Sequence, residues 1–130
     1  MLLLLWGATL YSQTFSEVSN TSGIDHIFEQ FANMGGGGVF FDYDNDGWED
    51  LYLTSGKGKD HLYKNLGNGS FSLITDGWLS ITAEYYTVGA VSGDVNNDGY
   101  RDLYITTWRG EDNAGDLERN LLFINNGDGT

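Results

Sequence analysis

A nonapeptide rich in aspartate occurs twice in this chain, and its repetition constrains the fold more than any other feature. The first copy, DYDNDGWED, runs from Asp42 to Asp50, and the second, DVNNDGYRD, runs from Asp94 to Asp102, 52 residues later. Of the thirteen positions that begin at Asp42, eight are identical to those that begin at Asp94. Self-similarity at a fixed period of tens of residues is typical of repeat architectures. The chain is therefore predicted to contain two copies of one structural unit.

A second pair of matching segments shows where the two copies differ in length. LYKNLGNGS at 62–70 matches LFINNGDGT at 122–130, and here the shift is 60 residues. The additional residues fall in WRGEDNAGDLERN at 108–120, which replaces the shorter GKGKD of the first copy. Connecting loops tolerate insertions better than the elements they join. The length difference therefore indicates a loop at this point of the unit.

The local patterns around the nonapeptides predict β-strands. VFFDY and EDLYLTS are rich in β-branched and aromatic residues, and clusters of Gly, Asn and Asp bound them. HLYKN and SFSLIT flank an Asn-Gly pair, which predicts a hairpin turn in which Asn68 and Gly69 take positive φ. One copy is thus four short antiparallel strands, the content of a β-propeller blade. We expect an all-β fold of about two such blades, a fragment of a larger propeller, because natural rings have roughly 4–8 blades.

These matches divide the chain into segments. We assign 37–88 to the first repeat and 89–130 to the second, which ends before its fourth strand. Thr14–Ile24 resembles Ser70–Leu79, so 14–36 is predicted to hold the outer strand of a preceding blade and its connection. A helix is expected only around 23–31, where apolar residues recur at helical spacing.

The first thirteen residues, MLLLLWGATLYSQ, are apolar and then become small and polar. This pattern is typical of a secretory signal peptide, although its basic n-region is missing, and it is too short to span a membrane. A buried N-terminal strand is the alternative. We therefore expect a secreted protein, extracellular or held at the cell surface.

The charge of the chain is strongly acidic, with 19 Asp and Glu against 6 Lys and Arg, a formal net charge of −13. Such a balance argues against nucleic acids and anionic membranes as partners. It leaves either a solvated acidic surface or carboxylates gathered to hold cations. The chain has no cysteine, which excludes a thiolate metal site.

The nonapeptide has the chemistry of a cation loop. In the first copy carboxylates stand at positions 1, 3, 5 and 9, with Gly at position 6. Alternate positions of a tight loop can point inward together, and Gly permits the sharp reversal after position 5. Carboxylates this close would repel each other unless a cation neutralised them. Oxygen ligands without His or Cys favour Ca²⁺ over zinc or copper, and Mg²⁺ is less suitable because it requires strict octahedral geometry.

Two calcium sites are predicted from this pattern. The first has as ligands Asp42, Asp44, Asp46, Asp50 and the carbonyl oxygen of Trp48. The second has Asp94, Asn96, Asp98, Asp102 and the carbonyl oxygen of Tyr100. The second loop carries one negative charge fewer, so weaker binding is expected there. The alternative is that both segments are simply polar turns.

An EF-hand shares the first six positions but requires a Glu at position 12 and flanking helices. Position 12 is Leu53 in the first copy and Ile105 in the second, both within predicted strands. The EF-hand interpretation is therefore excluded.

The run GGGGVFFDYDNDGWEDLYLTSG, followed by HLYKNLGNGSF, resembles a repeat of the FG-GAP/VCBS family, whose blades also form the heads of integrin α-subunits. Within it the chain is most similar to the secreted proteins related to cartilage acidic protein and UnbV. The resemblance implies a β-propeller with a Ca²⁺ loop between the first two strands of each blade, usually serving adhesion or scaffolding. Asn96 departs from the family pattern, which has Asp at position 3.

Neither His26 nor His61 has a nucleophile motif beside it, and no residue set outside the acidic loops forms a triad or an acid–base pair. The carboxylate pairs within the loops are explained by cation binding. We therefore expect a calcium-binding module for adhesion or protein–protein interaction and not an enzyme, with an extracellular protein or glycan as ligand. One alternative is a carbohydrate-binding propeller in which Trp108 stacks on a sugar. Another is an accessory domain of a larger secreted enzyme.

Overall fold

The computed structural model describes residues 13–29, 35–75, 77–108 and 119–127, which form two antiparallel β-sheets. The first sheet has the order β1 (Gly38–Phe41), β2 (Asp50–Leu53), β3 (His61–Asn65) and β4 (Phe71–Ile74). The second has β5 (Tyr86–Gly93), β6 (Asp102–Trp108) and β7 (Leu121–Phe123). A 3₁₀ helix, Gly77–Glu84, connects the sheets, and a short helix α1, Ser19–Ser22, precedes them. The all-β fold with blade-like antiparallel sheets is therefore confirmed.

The hydrophobic core lies between the two sheets, and the 3₁₀ helix contributes to it. Alternate residues along each strand point to one face of a sheet, so each strand supplies its even or odd apolar positions. The buried core consists of Phe41, Tyr52, Leu62, Leu79, Tyr85, Leu103, Ile105 and Leu121.

The first sheet contributes one row of its side chains to this core. Val39 pairs with Tyr52, and Tyr52 pairs with Leu62, so the three residues lie side by side across β1, β2 and β3. Tyr52 and Leu62 are fully buried, and Val39 is half-buried against the same core. This face of the first sheet is therefore covered by the second sheet.

The equivalent row of the second sheet faces away from the core. Val91, Tyr104 and Leu122 pair in the same register, and they are 57%, 38% and 52% exposed. In a sandwich of two sheets face to face, equivalent residues would meet each other. Here one copy buries the row that the other exposes, so the sheets stack front to back, as successive propeller blades do.

We predict that truncation of the same leucine has opposite consequences in the two sheets. Leu62→Ala should lower the free energy of unfolding by about 2–5 kcal/mol, because it opens a cavity in the core. Its matched control, Leu122→Ala, should change the free energy by only about 0.5 kcal/mol, because the side chain is already exposed. Urea unfolding followed by tryptophan fluorescence measures both. Equal losses would contradict front-to-back stacking.

A buried polar cluster joins the sheets at the end opposite to the acidic loops. The carboxylate of Asp60 is almost fully buried and accepts hydrogen bonds from the Tyr52 hydroxyl at 2.5 Å and the Ser55 N–H at 2.8 Å. It also accepts one at 2.6 Å from the Thr87 hydroxyl, which belongs to the second sheet. Burial raises the pKa of Asp60, whereas these hydrogen bonds act in the opposite direction. The cluster fixes the first sheet to the start of β5.

The segment before the sheets differs from the sequence-based expectation. Thr14–Ile24 contains no strand, and α1 forms there and is capped at its C-terminus by Gly23, whose φ is 82°. The expected helix over 23–31 is wrong for residues 24–29, which are not helical. The Glu29 N–H instead donates to the Ser55 carbonyl oxygen at 3.0 Å. Backbone pairing with the first sheet thus overrides the helical spacing of the apolar residues.

The same segment covers the outer face of the first sheet through three polar contacts. The Tyr63 hydroxyl donates to the Asp25 carbonyl oxygen at 2.7 Å. The Nδ1 atoms of His26 and His61 lie 3.0 Å apart, and Nε2 of His26 is 3.1 Å from the Thr54 carbonyl oxygen. A carbonyl only accepts, so His26 carries its hydrogen on Nε2 and its Nδ1 accepts from His61. Two imidazolium ions could not make this contact.

We predict that this histidine pair makes stability depend on pH. Burial lowers the pKa of His61 from 6.5, and repulsion from Lys59, and from His26 once it is protonated, lowers it further. The unfolded chain, in which this pKa is about 6.5, then binds the proton more readily than the folded protein does. The contribution of His61 to stability is therefore fully present above the unfolded-state pKa and is lost as the pH falls from there through the lower folded-state pKa. Between about pH 8 and about pH 5, the melting temperature of the wild type should fall more than that of His61→Gln. If the melting temperatures of the wild type and of His61→Gln fall equally with pH, protonation of the histidine pair is not coupled to folding.

Several other sequence-based expectations concern segment boundaries. The predicted signal peptide, 1–13, lies outside the described residues except for Gln13. The boundary set between residues 88 and 89 falls inside β5, next to an irregularity in its pairing with β6. Of the helices in the described ranges, none is long and apolar enough to cross a membrane.

Candidate metal centre

The first acidic loop connects β1 to β2, and the side chain of its first residue organises it. Asp42 accepts a hydrogen bond from the Asp46 N–H at 3.0 Å on one oxygen and from the Gly47 N–H at 2.8 Å on the other. Asn45 and Gly47 have positive φ, of 61° and 92°, within the loop. Asn and Gly are the residues that adopt this left-handed conformation most readily. The local sequence thus folds the loop around the Asp42 carboxylate.

Asp50, at the end of the loop, is fully buried and connects the loop to the neighbouring strand β3. It accepts hydrogen bonds from the Tyr43 N–H at 3.0 Å and from the Asn65 N–H at 2.7 Å, at the end of β3. Burial raises the pKa of the Asp50 carboxyl, and the charges of Asp44 and Asp46 raise it further. The Asp50 carboxylate is therefore held by two backbone N–H groups, one in the loop and one at the end of β3.

Three of the predicted ligands converge. Asp42, Asp44 and Asp50 each place one carboxylate oxygen within 4.8 Å of the others, the one such convergence of three metal-ligating side chains among the described residues. Oδ1 of Asp44 is buried and has no hydrogen-bond partner. An orphaned buried carboxylate oxygen is costly, because it has lost its water without replacement. The donor set and this oxygen fit a hard cation such as Ca²⁺.

The fourth carboxylate, Asp46, is engaged differently. Its Oδ2 lies 3.0 Å from the Lys64 ammonium, and Lys64 also forms an ion pair with Asp44. The hydrogen bond from Lys64 lowers the pKa of Asp46. Lys64 lies on β3, outside the nonapeptide, and sequence reasoning missed it. The only signal was a basic residue two positions after a buried leucine of the repeat.

The second loop, between β5 and β6, repeats the hydrogen bonds of the first. Asp94 accepts from the Asp98 N–H at 3.1 Å and from the Gly99 N–H at 2.9 Å. Asp102 is buried and accepts from the Val95 N–H and from an N–H that follows β7, both at 2.8 Å. The same sequence pattern therefore produces the same loop twice.

The two loops differ at their third position. Asn96 stands where Asp44 stands in the first loop, and its side-chain amide donates to Oδ2 of Asp98 at 2.7 Å. The side-chain oxygen of Asn96 accepts a hydrogen bond from the Asp98 N–H at 3.1 Å. The position that matches Lys64 is Ile124, which carries no charge. The carbonyl oxygens of Trp48 and Tyr100 stay predicted ligands.

An asparagine at the end of each third strand supports the loops, and sequence reasoning missed both. Asn65 donates its side-chain amide to the Glu49 carbonyl oxygen at 3.0 Å. Asn125 donates to the Tyr43 carbonyl oxygen at 2.7 Å and so joins the second unit to the first loop. The repeated Asn before each Gly-rich turn was the available signal. Their side chains, not a two-residue hairpin, shape these turns.

The predicted hairpin turn between β3 and β4 is wrong in detail. Gly67 and Gly69 have positive φ, of 71° and 86°, whereas Asn68 does not. The side-chain oxygen of Asn65 accepts the Gly67 N–H at 2.9 Å, and that of Asn68 accepts the Ser70 N–H at 3.0 Å. These local side-chain bonds favour a five-residue connection over a tight turn.

Antiparallel sheets that each carry an aspartate-rich loop between their first two strands define the class as a β-repeat protein with propeller-like blades. The family model of the FG-GAP-like repeat matches residues 42–105, a span that includes both acidic loops. This match confirms the resemblance to the FG-GAP/VCBS repeat family that was noted in the sequence. No curated protein and no solved structure matches the chain.

We predict that Asp50 stabilises the fold even without metal. Asp50→Ala should lower the free energy of unfolding by about 1–3 kcal/mol in EDTA, because two backbone N–H groups lose their acceptor. Asp44→Ala is the control, because no backbone group donates to Asp44 in the described contacts, and its effect should stay within about 0.5 kcal/mol. Urea unfolding measures both variants. Equal effects would mean that Asp50 acts only as a charge in the cluster.

Proposed function

We propose that this protein is a secreted, calcium-stabilised β-propeller repeat module that binds other proteins, as an adhesion or interaction domain and not as an enzyme. The observation that carries the calcium assignment is the convergence of Asp42, Asp44 and Asp50, with a buried Asp44 oxygen that lacks a partner. The repeat family supports the propeller, and the apolar N-terminal stretch supports export.

Calcium would act on the geometry of the blade. Its two positive charges would remove the repulsion among the carboxylates and fix the connection between β1 and β2. Because Asp50 already links this loop to the end of β3, a bound ion would also hold the third strand. Extracellular calcium modules use dissociation constants on the order of 10⁻⁴–10⁻³ M, which suffice where calcium is plentiful.

The interaction surface that we propose is the exposed row of Val91, Tyr104 and Leu122, together with Val95, which is 60% exposed. A contiguous apolar patch on a folded protein marks an association surface. Because the equivalent row of the first sheet is covered by another repeat, a surface with the chemistry of a further blade fits it best. No contact among the described residues favours the glycan or the enzyme-accessory alternative.

Calcium titration tests the proposal. At about 1 mM calcium, each site should add about 0.4–1.4 kcal/mol to the free energy of unfolding, since binding to the folded state contributes RT ln(1 + [L]/Kd). We therefore expect calorimetry to show two binding events and the melting temperature to rise by a few degrees. Magnesium at the same concentration should have a smaller effect.

A variant with Asp44→Ala and Asp98→Ala serves as the control, and its melting temperature should no longer respond to calcium. The assignment is wrong if the folded wild type takes up no heat-detectable calcium and EDTA leaves its melting temperature unchanged.

A further inference from the structure

We propose that Lys64 is a built-in competitor of calcium at the first loop, so that the second loop is the tighter calcium site. This inference rests on the proposed function, because it concerns the affinity of the same sites. The number of carboxylates alone predicts that the first loop binds calcium more tightly, and the proposal reverses this order of affinity.

The position of the Lys64 ammonium supports the proposal. It contacts the carboxylate of Asp44 and lies 3.0 Å from Oδ2 of Asp46, the third and fifth positions of the loop. Both are predicted calcium ligands, and their side chains are only 19% and 32% exposed. The ammonium therefore binds the same carboxylates that the metal requires.

The residue that carries this ammonium belongs to the sheet and not to the loop. Lys64 lies on β3, where it pairs with Ser72 of β4, and its neighbour Asn65 donates its backbone N–H to Asp50. The backbone of Lys64 is thus fixed relative to the loop by the same bonds that hold the loop. A tethered cation has a high effective concentration at its site, so calcium must displace it before binding these carboxylates.

The charges of the two predicted ligand sets become equal when Lys64 is included. The four carboxylate ligands of the first loop and the Lys64 ammonium together carry the same charge as the three carboxylate ligands of the second. The advantage that the first loop has on a count of Asp residues is therefore cancelled. The need to break the Lys64 ion pairs then places the first loop below the second in affinity.

The second loop has no equivalent competitor among the described residues. Ile124 replaces Lys64, and the nearby Arg101 directs its guanidinium to Ser92, donating at 3.1 Å to the hydroxyl and at 3.3 Å to the carbonyl oxygen. Within the loop, the Asn96 amide takes the place of a cation on Asp98. Rotation of this amide replaces its donor with its oxygen, which is a calcium ligand, so this contact opposes calcium less than an ion pair does.

The test exchanges the two matched residues. Lys64→Met removes the ammonium but keeps an unbranched side chain, and Ile124→Lys places one at the equivalent point of the second unit. Each change is made in a chain with only one loop intact, using Asp98→Ala to disable the second loop or Asp44→Ala to disable the first. Calorimetry then gives the calcium dissociation constant of each loop separately, and circular dichroism confirms that each variant is folded.

We expect the second loop to bind calcium more tightly than the first when each is measured alone. Lys64→Met should tighten the first loop about tenfold, equivalent to about 1.4 kcal/mol. Ile124→Lys should weaken the second loop by a similar factor, about tenfold. Lys64→Gln provides a second neutral side chain, and it should behave as Lys64→Met does.

A direct readout of the first loop uses terbium, a calcium substitute whose luminescence is excited by nearby indole. Trp48 lies in the first loop, so in a chain whose second loop is disabled by Asp98→Ala the sensitised signal reports the first loop. Lys64→Met should lower the terbium concentration at which this signal appears.

The outcomes separate the two proposals. Calcium binding that is tighter at the first loop, or unchanged by Lys64→Met and Lys64→Gln, overturns the role of Lys64 and leaves the calcium module intact. The absence of calcium binding in every folded variant overturns both.

Discussion

The buried aspartate at the end of each acidic loop is the interaction on which the rest of the structure depends. Asp50 and Asp102 each accept one backbone N–H from the beginning of their own loop and one from the end of the third strand. One carboxylate thus fixes a connection and a strand that are distant in sequence. Because both oxygens are occupied by backbone donors, the loops have a defined shape before any ligand binds. For the cation that we propose, this fixed backbone would reduce the ordering cost of binding.

The front-to-back stacking of the sheets gives the two repeats different environments although their sequences match. Tyr52 belongs to the core and donates to the buried Asp60, whereas its counterpart Tyr104 is 38% exposed. The asymmetry follows from the order of the repeats and not from their composition. It leaves an apolar face that has the same pattern as a buried one, and that pattern is what a further blade would contact.

The acidic loops show two ways to limit repulsion among carboxylates within one backbone scaffold. In the first, the third strand supplies the ammonium of Lys64 to Asp44 and Asp46. In the second, one carboxylate is replaced by Asn96, whose amide donates to Asp98. Both arrangements keep the backbone hydrogen bonds of the loop, so the two loops differ in the charges around their carboxylates and not in their backbone fold.

The sequence by itself determined the repeat, the strands, the antiparallel blades and the two acidic loops, because these depend on alternation, on turn residues and on spacing within a short segment. The tertiary structure decided the rest. It brings Asp42, Asp44 and Asp50 together, places Lys64 on the loop, pairs His26 with His61, and turns the expected strand near Ser19–Ser22 into a helix. Each of these depends on which faces of the sheets are covered and on the register between strands. The contacts of Lys64 with the loop and of His26 with His61 join residues far apart in the chain, so no local pattern records them.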